Sequence, residues 1–260
     1  MIFYLGTHME HWLGLLDVPI FVSRRRLTRR KTFPRALGRW ALDSGGFTEI
    51  SQFGEWQVTP ADYITEVRRF RDEVGGMDWA SPQDWMCEPM MLEKTGLTVA
   101  DHQRLTIDSY LELRAAAPDL PFIPVLQGWE LGDYLSHIEA YDDAGVDLSS
   151  EPVVGLGSVC RRQNTNEAAH IVRAIAAKGI KLHGFGFKLD GLRKIADVLA
   201  SADSLAWSYG ARRQEPLDGC THKSCANCMK YAMQWRGKVM SAIESPKQPA
   251  LPGQWYGGAA

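Results

Sequence analysis

Two groups of residues in this chain have the types and the spacing to do chemistry. The first is Cys220-Thr221-His222-Lys223-Ser224-Cys225-Ala226-Asn227-Cys228, with three thiols and an imidazole in nine residues. Donors at this density match the tetrahedral preference of zinc. Four protein ligands, Cys220, His222, Cys225 and Cys228, leave no open position, so the expected site is structural. The second group is three acids at the ends of strand-like runs, Asp43, Asp84 and Asp203. Carboxylates gathered at one mouth can divide the work at a sugar carbon, one attacking while another handles the leaving group's proton. Each acid also has a local alternative: Asp43 could belong to a plain Asp-Ser-Gly-Gly turn, Asp84 could cap the segment after it, and Asp203 the helical segment before it. No Ser-His-Asp order, phosphate-binding loop or dinucleotide fingerprint competes with them.

The elements that must position these residues are legible as a repeating pattern. Trp40-Ala41-Leu42 leads into Asp43-Ser44-Gly45-Gly46-Phe47, an apolar approach that ends in an acid and turns on glycines. The same order, apolar run then polar residue or glycine, recurs over 121–128, 152–158 and 181–187. Further strands are expected over 2–5, 18–22, a short stretch from Met77, and 204–208, with Asp203 just ahead of the last. Between them lie helices: one opened by Thr59 as N-cap and Pro60, then 98–117 with a Thr98 cap, 131–144, 166–178 and 190–200. A final helix carries Cys228 in its first turn and runs through Tyr231, Met233 and Trp235.

Strands alternating with helices imply a parallel sheet, and eight of them at this length fit an α/β (β/α)₈ barrel whose site lies at the carboxyl ends of the strands. A doubly wound sheet is the competing fold. The expected layout is a barrel over 1–244 with a zinc-binding insertion at 218–235, then an extended proline-rich tail over 245–260.

The chain of 260 residues is 45% hydrophobic with a formal net charge of −2, which argues against a generally basic nucleic-acid binder. The basic residues are nonetheless clustered. Arg24, Arg25, Arg26, Arg29, Arg30 and Lys31 fall within eight residues, and pairs recur at Arg161-Arg162 and Arg212-Arg213. Such a cluster can hold phosphates while the whole chain stays acidic; a solvated basic loop is the alternative. Cys87 and Cys160 stand alone and are expected to be small buried residues. No run is long and apolar enough for a membrane span, and the expected location is cytoplasmic.

With these residues assembled, the chain resembles the tRNA-guanine transglycosylase superfamily, zinc-containing barrels that exchange guanine in a polynucleotide for a 7-deazaguanine base. Asp43-Ser44-Gly45-Gly46-Phe47 resembles the family's aspartate motif, whose acid is assigned to proton transfer. Asp84 falls where the family places a base-reading aspartate. Gln127-Gly128 and Gly155-Leu156-Gly157 are similar to its segments around the base, and Asp203 sits at the nucleophile's place. The run from Cys225 to Tyr231 matches the end of the zinc motif. There are departures: Thr48 stands for a glutamine and Trp129 for a second glycine. The tight Cys-x-Cys opening and the downstream zinc histidine are absent, so Cys220 and His222 would substitute.

Short length and Gly6-Thr7-His8 make the chain most similar to the DNA-modifying branch found in phages and bacterial genomic islands. The resemblance implies exchange of guanine in DNA for a base such as 7-cyano-7-deazaguanine. Asp203 would be the nucleophile and Asp43 the acid and base. Ser44, Gly45, Phe47, Asp84, Gln127, Gly128, Gly155, Gly157 and His8 would surround the substrate. Phe47, Trp129, Phe185 and Trp207 are candidates to sandwich the extruded base. The implied partners are DNA and a free deazaguanine, with a homodimer or helper protein left open. Alternatives are the same exchange on tRNA, a catalytically silent nucleic-acid-binding barrel, and an unrelated barrel glycosidase.

Overall fold

The computed structural model describes residues 1–159 and 165–244. Cys160, Arg161, Arg162 and the tail over 245–260 lie outside the described residues. Eight short strands form one parallel sheet: β1 Ile2–Thr7, β2 Ile20–Ser23, β3 Trp40–Asp43 and β4 Met77–Ala80 in the first half. The second half holds β5 Val125–Leu126, β6 Val154–Leu156, β7 Leu182–Gly184 and β8 Ser201–Ser204. Their order is β4-β3-β2-β1-β8-β7-β6-β5. The two ends of this order meet through one parallel bridge, Ala80 to Phe122. There Ala80 N–H donates to the Pro121 carbonyl at 3.0 Å, and Ile123 N–H donates to the Ala80 carbonyl at 3.1 Å. The sheet is thus curled into the expected (β/α)₈ barrel.

Ten α-helices follow the strands among the described residues. In the first half they are α1 Arg24–Leu27, α2 Gly46–Phe53, α3 Pro60–Val74, α4 Pro89–Thr95 and α5 Val99–Ala116. In the second they are α6 Leu131–Asp143, α7 Asn166–Ala176, α8 Leu189–Ile195, α9 Ala206–Ala211 and α10 Met229–Glu244. The caps expected at Thr59 and Thr98 are present. Thr59 Oγ1 accepts from Asp62 N–H at 3.1 Å, and Thr98 and Asp101 form a reciprocal capping box. Such caps are each worth about 1 kcal/mol. None of the helices among the described residues is long and apolar enough to cross a membrane.

Strand alternation separates two kinds of core. Tyr4, Phe21, Ala41, Trp79, Ile123 and Val153 form a buried cluster of their own inside the barrel. Their neighbours Phe3, Leu5, Ile20, Val22, Trp40 and Leu42 pack in the two larger clusters with the helices. Asp43 has the parity of Ala41, and Asp203 pairs in register with Tyr4. Both acids therefore belong to the inner face, at the carboxyl ends of their strands.

Two expectations change, and one helix is added. The last strand is Ser201–Ser204, with Asp203 inside it, and not 204–208. Beyond it Trp207, Ser208 and Ala211 are buried while Leu205 and Tyr209 are exposed, a helical period rather than alternation. The turn after Asp43 runs directly into α2, and Cys228 precedes α10 instead of lying in its first turn.

Candidate active site

Asp43 closes β3 beside Ser23 on β2, and its carboxylate accepts hydrogen bonds from the Ser23 hydroxyl and the Gly45 amide. Gly45 adopts φ +83°, a left-handed conformation that favours glycine and carries the chain from strand to helix at this point. Burial raises the Asp43 carboxyl above the usual range and the charge of Asp203 adds to it; Ser23, Gly45 and Arg24 oppose the shift.

Asp84 is 8% exposed. Ser44 Oγ–H donates to Oδ1 at 3.0 Å and the Gln127 amide donates to Oδ2 at 2.7 Å. Ser158 Oγ lies 2.7 Å from Gln127 Oε1 and 3.0 Å from Glu88 Oε2, and accepts from Cys87 N–H at 2.8 Å. Burial, and then the charge of Asp43, push the Asp84 carboxyl up to about 7. The Gln127 backbone is held from behind by His137, whose Nδ1 accepts from Gln127 N–H at 2.9 Å. Gly157 has to be small here, because a Cβ on it would lie 2.4 Å from Gln127 Nε2.

Asp203 accepts from Gly186 N–H at 2.8 Å and faces His183 Nε2 at 3.4 Å. The opposite ring nitrogen of His183 is 2.8 Å from Ser201 Oγ, and the imidazole is boxed by Trp79 and Phe185 at 4.6 and 4.9 Å between ring centres. Burial keeps His183 below its ordinary pKa. A carboxylate only accepts, so Asp203 selects the tautomer with the proton on Nε2, and the Ser201 hydroxyl then donates to Nδ1.

Asp43, Asp84, Gln127 and Asp203 line one cavity of about 210 Å³, with Phe21, Phe47 and Phe185 as its aromatic walls. This is below the roughly 300–1,000 Å³ of sites for drug-sized ligands and suits a single flat heterocycle. Of the expected aromatic sandwich, Phe47 and Phe185 are in place. Trp129 is outside the lining, and Trp207 is buried against β1 with its Nε1–H on the Gly6 carbonyl at 2.8 Å. Gly128 and Gly155 also lie outside it, packed against Tyr134 and the Phe185 ring. Ser44 and Gly45 act behind it, through Asp84 and Asp43. The residues that composition left unmarked are Phe21, Ser81, Glu88, Ser158 and His183. His183-Gly184-Phe185-Gly186 carries the same strand, polar residue and glycine order that marked Asp43 and Gln127.

Asp43 also lines a second, wider cavity of about 880 Å³, walled by His8, Ser23 and the arginines of α1. Arg24 does not join the exposed cations. It is 4% exposed, donates to Glu49 at 3.0 Å and Glu66 at 2.7 Å, and ties α1 to the Ser44 carbonyl at 3.2 Å. Arg25 is exposed and shares Glu49, while Arg26 and Arg29 are exposed without an ion pair among the described residues. Arg30 pairs with Glu10, and Lys31 is exposed. Arg212 and Arg213 are exposed after α9, with the Arg213 guanidinium 3.5 Å from the centre of the Tyr209 ring.

Cys220, His222, Cys225 and Cys228 converge, with their donor atoms all within 4.8 Å of one another. Cys220 and Cys228 sulfurs are 4.0 Å apart, and His222 Nε2 is 3.1 Å from the Cys225 sulfur. A tetrahedral ion with sulfur bonds of about 2.3 Å places two sulfurs about 3.8 Å apart, so the cluster could hold a metal ion. Cys87 is buried as expected.

A family model described as DpdA, DeoxyPurine in DNA protein A, matches residues 1–257 of the chain. No curated protein matches it. The family is that of the DNA 7-deazaguanine transglycosylases, which exchange guanine in DNA for a deazaguanine. Matched over all but its last three residues, the chain belongs to the DpdA family of DNA-modifying transglycosylases.

Proposed function

We propose that this chain replaces guanine in DNA with a 7-deazaguanine, 7-cyano-7-deazaguanine by the family resemblance, through a covalent aspartyl–sugar intermediate. The observation that carries this reading is the position of Asp43, which lines both the small carboxylate cavity and the wide arginine cavity. A base in the first and its sugar–phosphate in the second would meet at that carboxylate. The target nucleotide must leave the base stack to reach it.

Asp203 attacks C1′ of the deoxyribose. The C1′–N9 bond breaks, and its electron pair leaves with guanine, which takes a proton from Asp43. The raised pKa of Asp43 suits a group that must hold a proton before it gives one. In the second half the incoming base returns a proton to Asp43 while its nitrogen displaces Asp203 from C1′. Asp84 accepts from guanine N1–H and the exocyclic amine, and the second amide hydrogen of Gln127 is free for the ring carbonyl. A 7-deazaguanine keeps that whole edge and differs in the five-membered ring, so one set of contacts serves both the leaving and the entering base. Arg25, Arg26 and Arg29 hold the flanking phosphates, and zinc at Cys220, His222, Cys225 and Cys228 braces the loop before α10.

The test is incubation of guanine-containing DNA with labelled 7-cyano-7-deazaguanine, followed by nucleoside analysis and denaturing electrophoresis. Label in DNA together with an enzyme–DNA adduct is expected; label incorporation with no adduct, and full activity in Asp203→Ala, would reject the double displacement. For the metal, purified protein should contain about one zinc per chain. Folded, active protein free of zinc would reject that assignment.

A further inference from the structure

The wall of the arginine cavity holds a feature that base exchange itself does not use. Trp12, Trp207 and His8 form a continuous ring stack running outward from the core. Trp12 and Trp207 are 5.5 Å apart at 24°, and Trp207 and His8 are 6.0 Å apart at 11°. Both tryptophans are buried, and the stack ends at His8 in the cavity wall. His8 is fixed edge-on as well. Its Nε2 is 2.5 Å from Asn227 Oδ1, and Asn227 lies between Cys225 and Cys228. The same loop holds α9, because Ser208 Oγ–H donates to the Ala226 carbonyl at 2.8 Å.

We infer that His8 is a stacking platform for the nucleotide next to the target guanine, with Arg26 and Arg29 across the cavity taking its phosphates. A flat ring backed by two buried indoles cannot tilt away, and a platform of this kind accepts any base by its π-face. Exposed Leu205, one residue before α9, continues the apolar rim of the same cavity. Asp43 lines both this cavity and the base pocket, so a strand whose guanine enters the pocket has its neighbouring nucleotide in the cavity that His8 walls. The Cys/His loop then has a second job: through Asn227 it orients the platform. This rests on the family's action on DNA, and it does not depend on which carboxylate attacks the sugar.

The test uses short single-stranded DNA with a target guanine and 2-aminopurine at one or the other neighbouring position, with no free base added. Binding is expected to quench the probe at one neighbour. His8→Ala should abolish that quench and weaken binding about 5- to 140-fold, the range for losing one stacked base. His8→Phe should restore both in part, since a phenyl ring stacks but makes no contact to Asn227. Asn227→Ala should reduce the quench. Deleting the neighbouring base from the DNA should cost the wild type the same factor and cost His8→Ala nothing more. A quench that survives in His8→Ala, or wild-type affinity indifferent to loss of either neighbour, overturns the platform. These are equilibrium readings, so failure of the exchange reaction would leave them separately interpretable.

Discussion

The barrel has a cavity at each end, and the two differ in what surrounds their acids. At the amino ends of the strands a cavity of about 270 Å³ contains Asp78. Arg39 grips that carboxylate with two hydrogen bonds of 2.6 and 3.0 Å, and Tyr4 OH donates to it at 2.6 Å. At the carboxyl ends Asp43 and Asp84 have no cation in contact among the described residues, and Asp203 has only a neutral histidine. Neutralised charge is structural, whereas Asp43 and Asp84, buried with no cation bonded to them, are pushed up from the usual carboxylate range and stay ready to exchange protons. The comparison separates scaffold from chemistry within one sheet, in line with the division between the two faces of such barrels.

The largest expected effect comes from breaking the carboxyl end. Asp203→Ala should abolish the covalent enzyme–DNA adduct, and Asp43→Asn should slow exchange on the order of a hundred- to ten-thousand-fold while DNA still binds. Denaturing electrophoresis beside a binding assay reads both. An adduct surviving in Asp203→Ala would assign the attack elsewhere.

Asp84 sharpens the contrast through pH. Its carboxylate form is needed to accept from guanine, so base affinity should fall about tenfold per unit as pH drops below about 7. Stability should run the other way. The folded pKa lies above the ordinary 3.8, so this group's contribution is full below about 4 and is lost as pH rises through about 7. Asp84→Asn should therefore raise the melting temperature more at pH 8 than at pH 5, and abolish guanine binding at both. Equal shifts at the two pH values would show that Asp84 does not change its protonation between them.

The arginine rim lies at the carboxyl end, beside Thr7, Ser23 and Asp43. Neutralising Arg25, Arg26 and Arg29 together should weaken single-stranded DNA binding for all sequences alike and reduce the slope of log affinity against log salt by about 2. An unchanged slope would leave these arginines as solvated surface charge with no part in holding DNA. The smallest effect is expected at the amino end. Arg39→Gln breaks a pair whose arginine is half exposed, so it should cost under about 1 kcal/mol and leave exchange unchanged. A loss of activity comparable to Asp43→Asn would end the distinction between the two cavities.

Much of this was legible along the chain because it is local. The caps at Thr59 and Thr98, the strand leading to Asp43, and the Cys/His spacing each depend on residues a few positions apart. The strand–helix alternation carried the barrel for the same reason. Placing β8 needed more, because Ser201-Ala202-Asp203-Ser204 has little apolar signal and is recognised as a strand only by its pairing with β1 and β7.

Sequence by itself determined the architecture, the strand that ends in Asp43, and the Cys/His cluster that could hold a metal ion, all set by short-range periodicity and spacing. Only the tertiary structure decided which residues meet. Gln127 reaches Asp84 from 43 positions away, and His183 reaches Asp203 across β7 and β8. It also decided that Arg24 is consumed by Glu49 and Glu66 while Arg26 is left exposed, a distinction invisible in a run of three arginines. The physical reason is closure of the sheet: bringing β4 back to the start of β5 places strand ends from both halves around one mouth. Burial and mutual charge, which set the pKa of Asp43 and Asp84, arise only there.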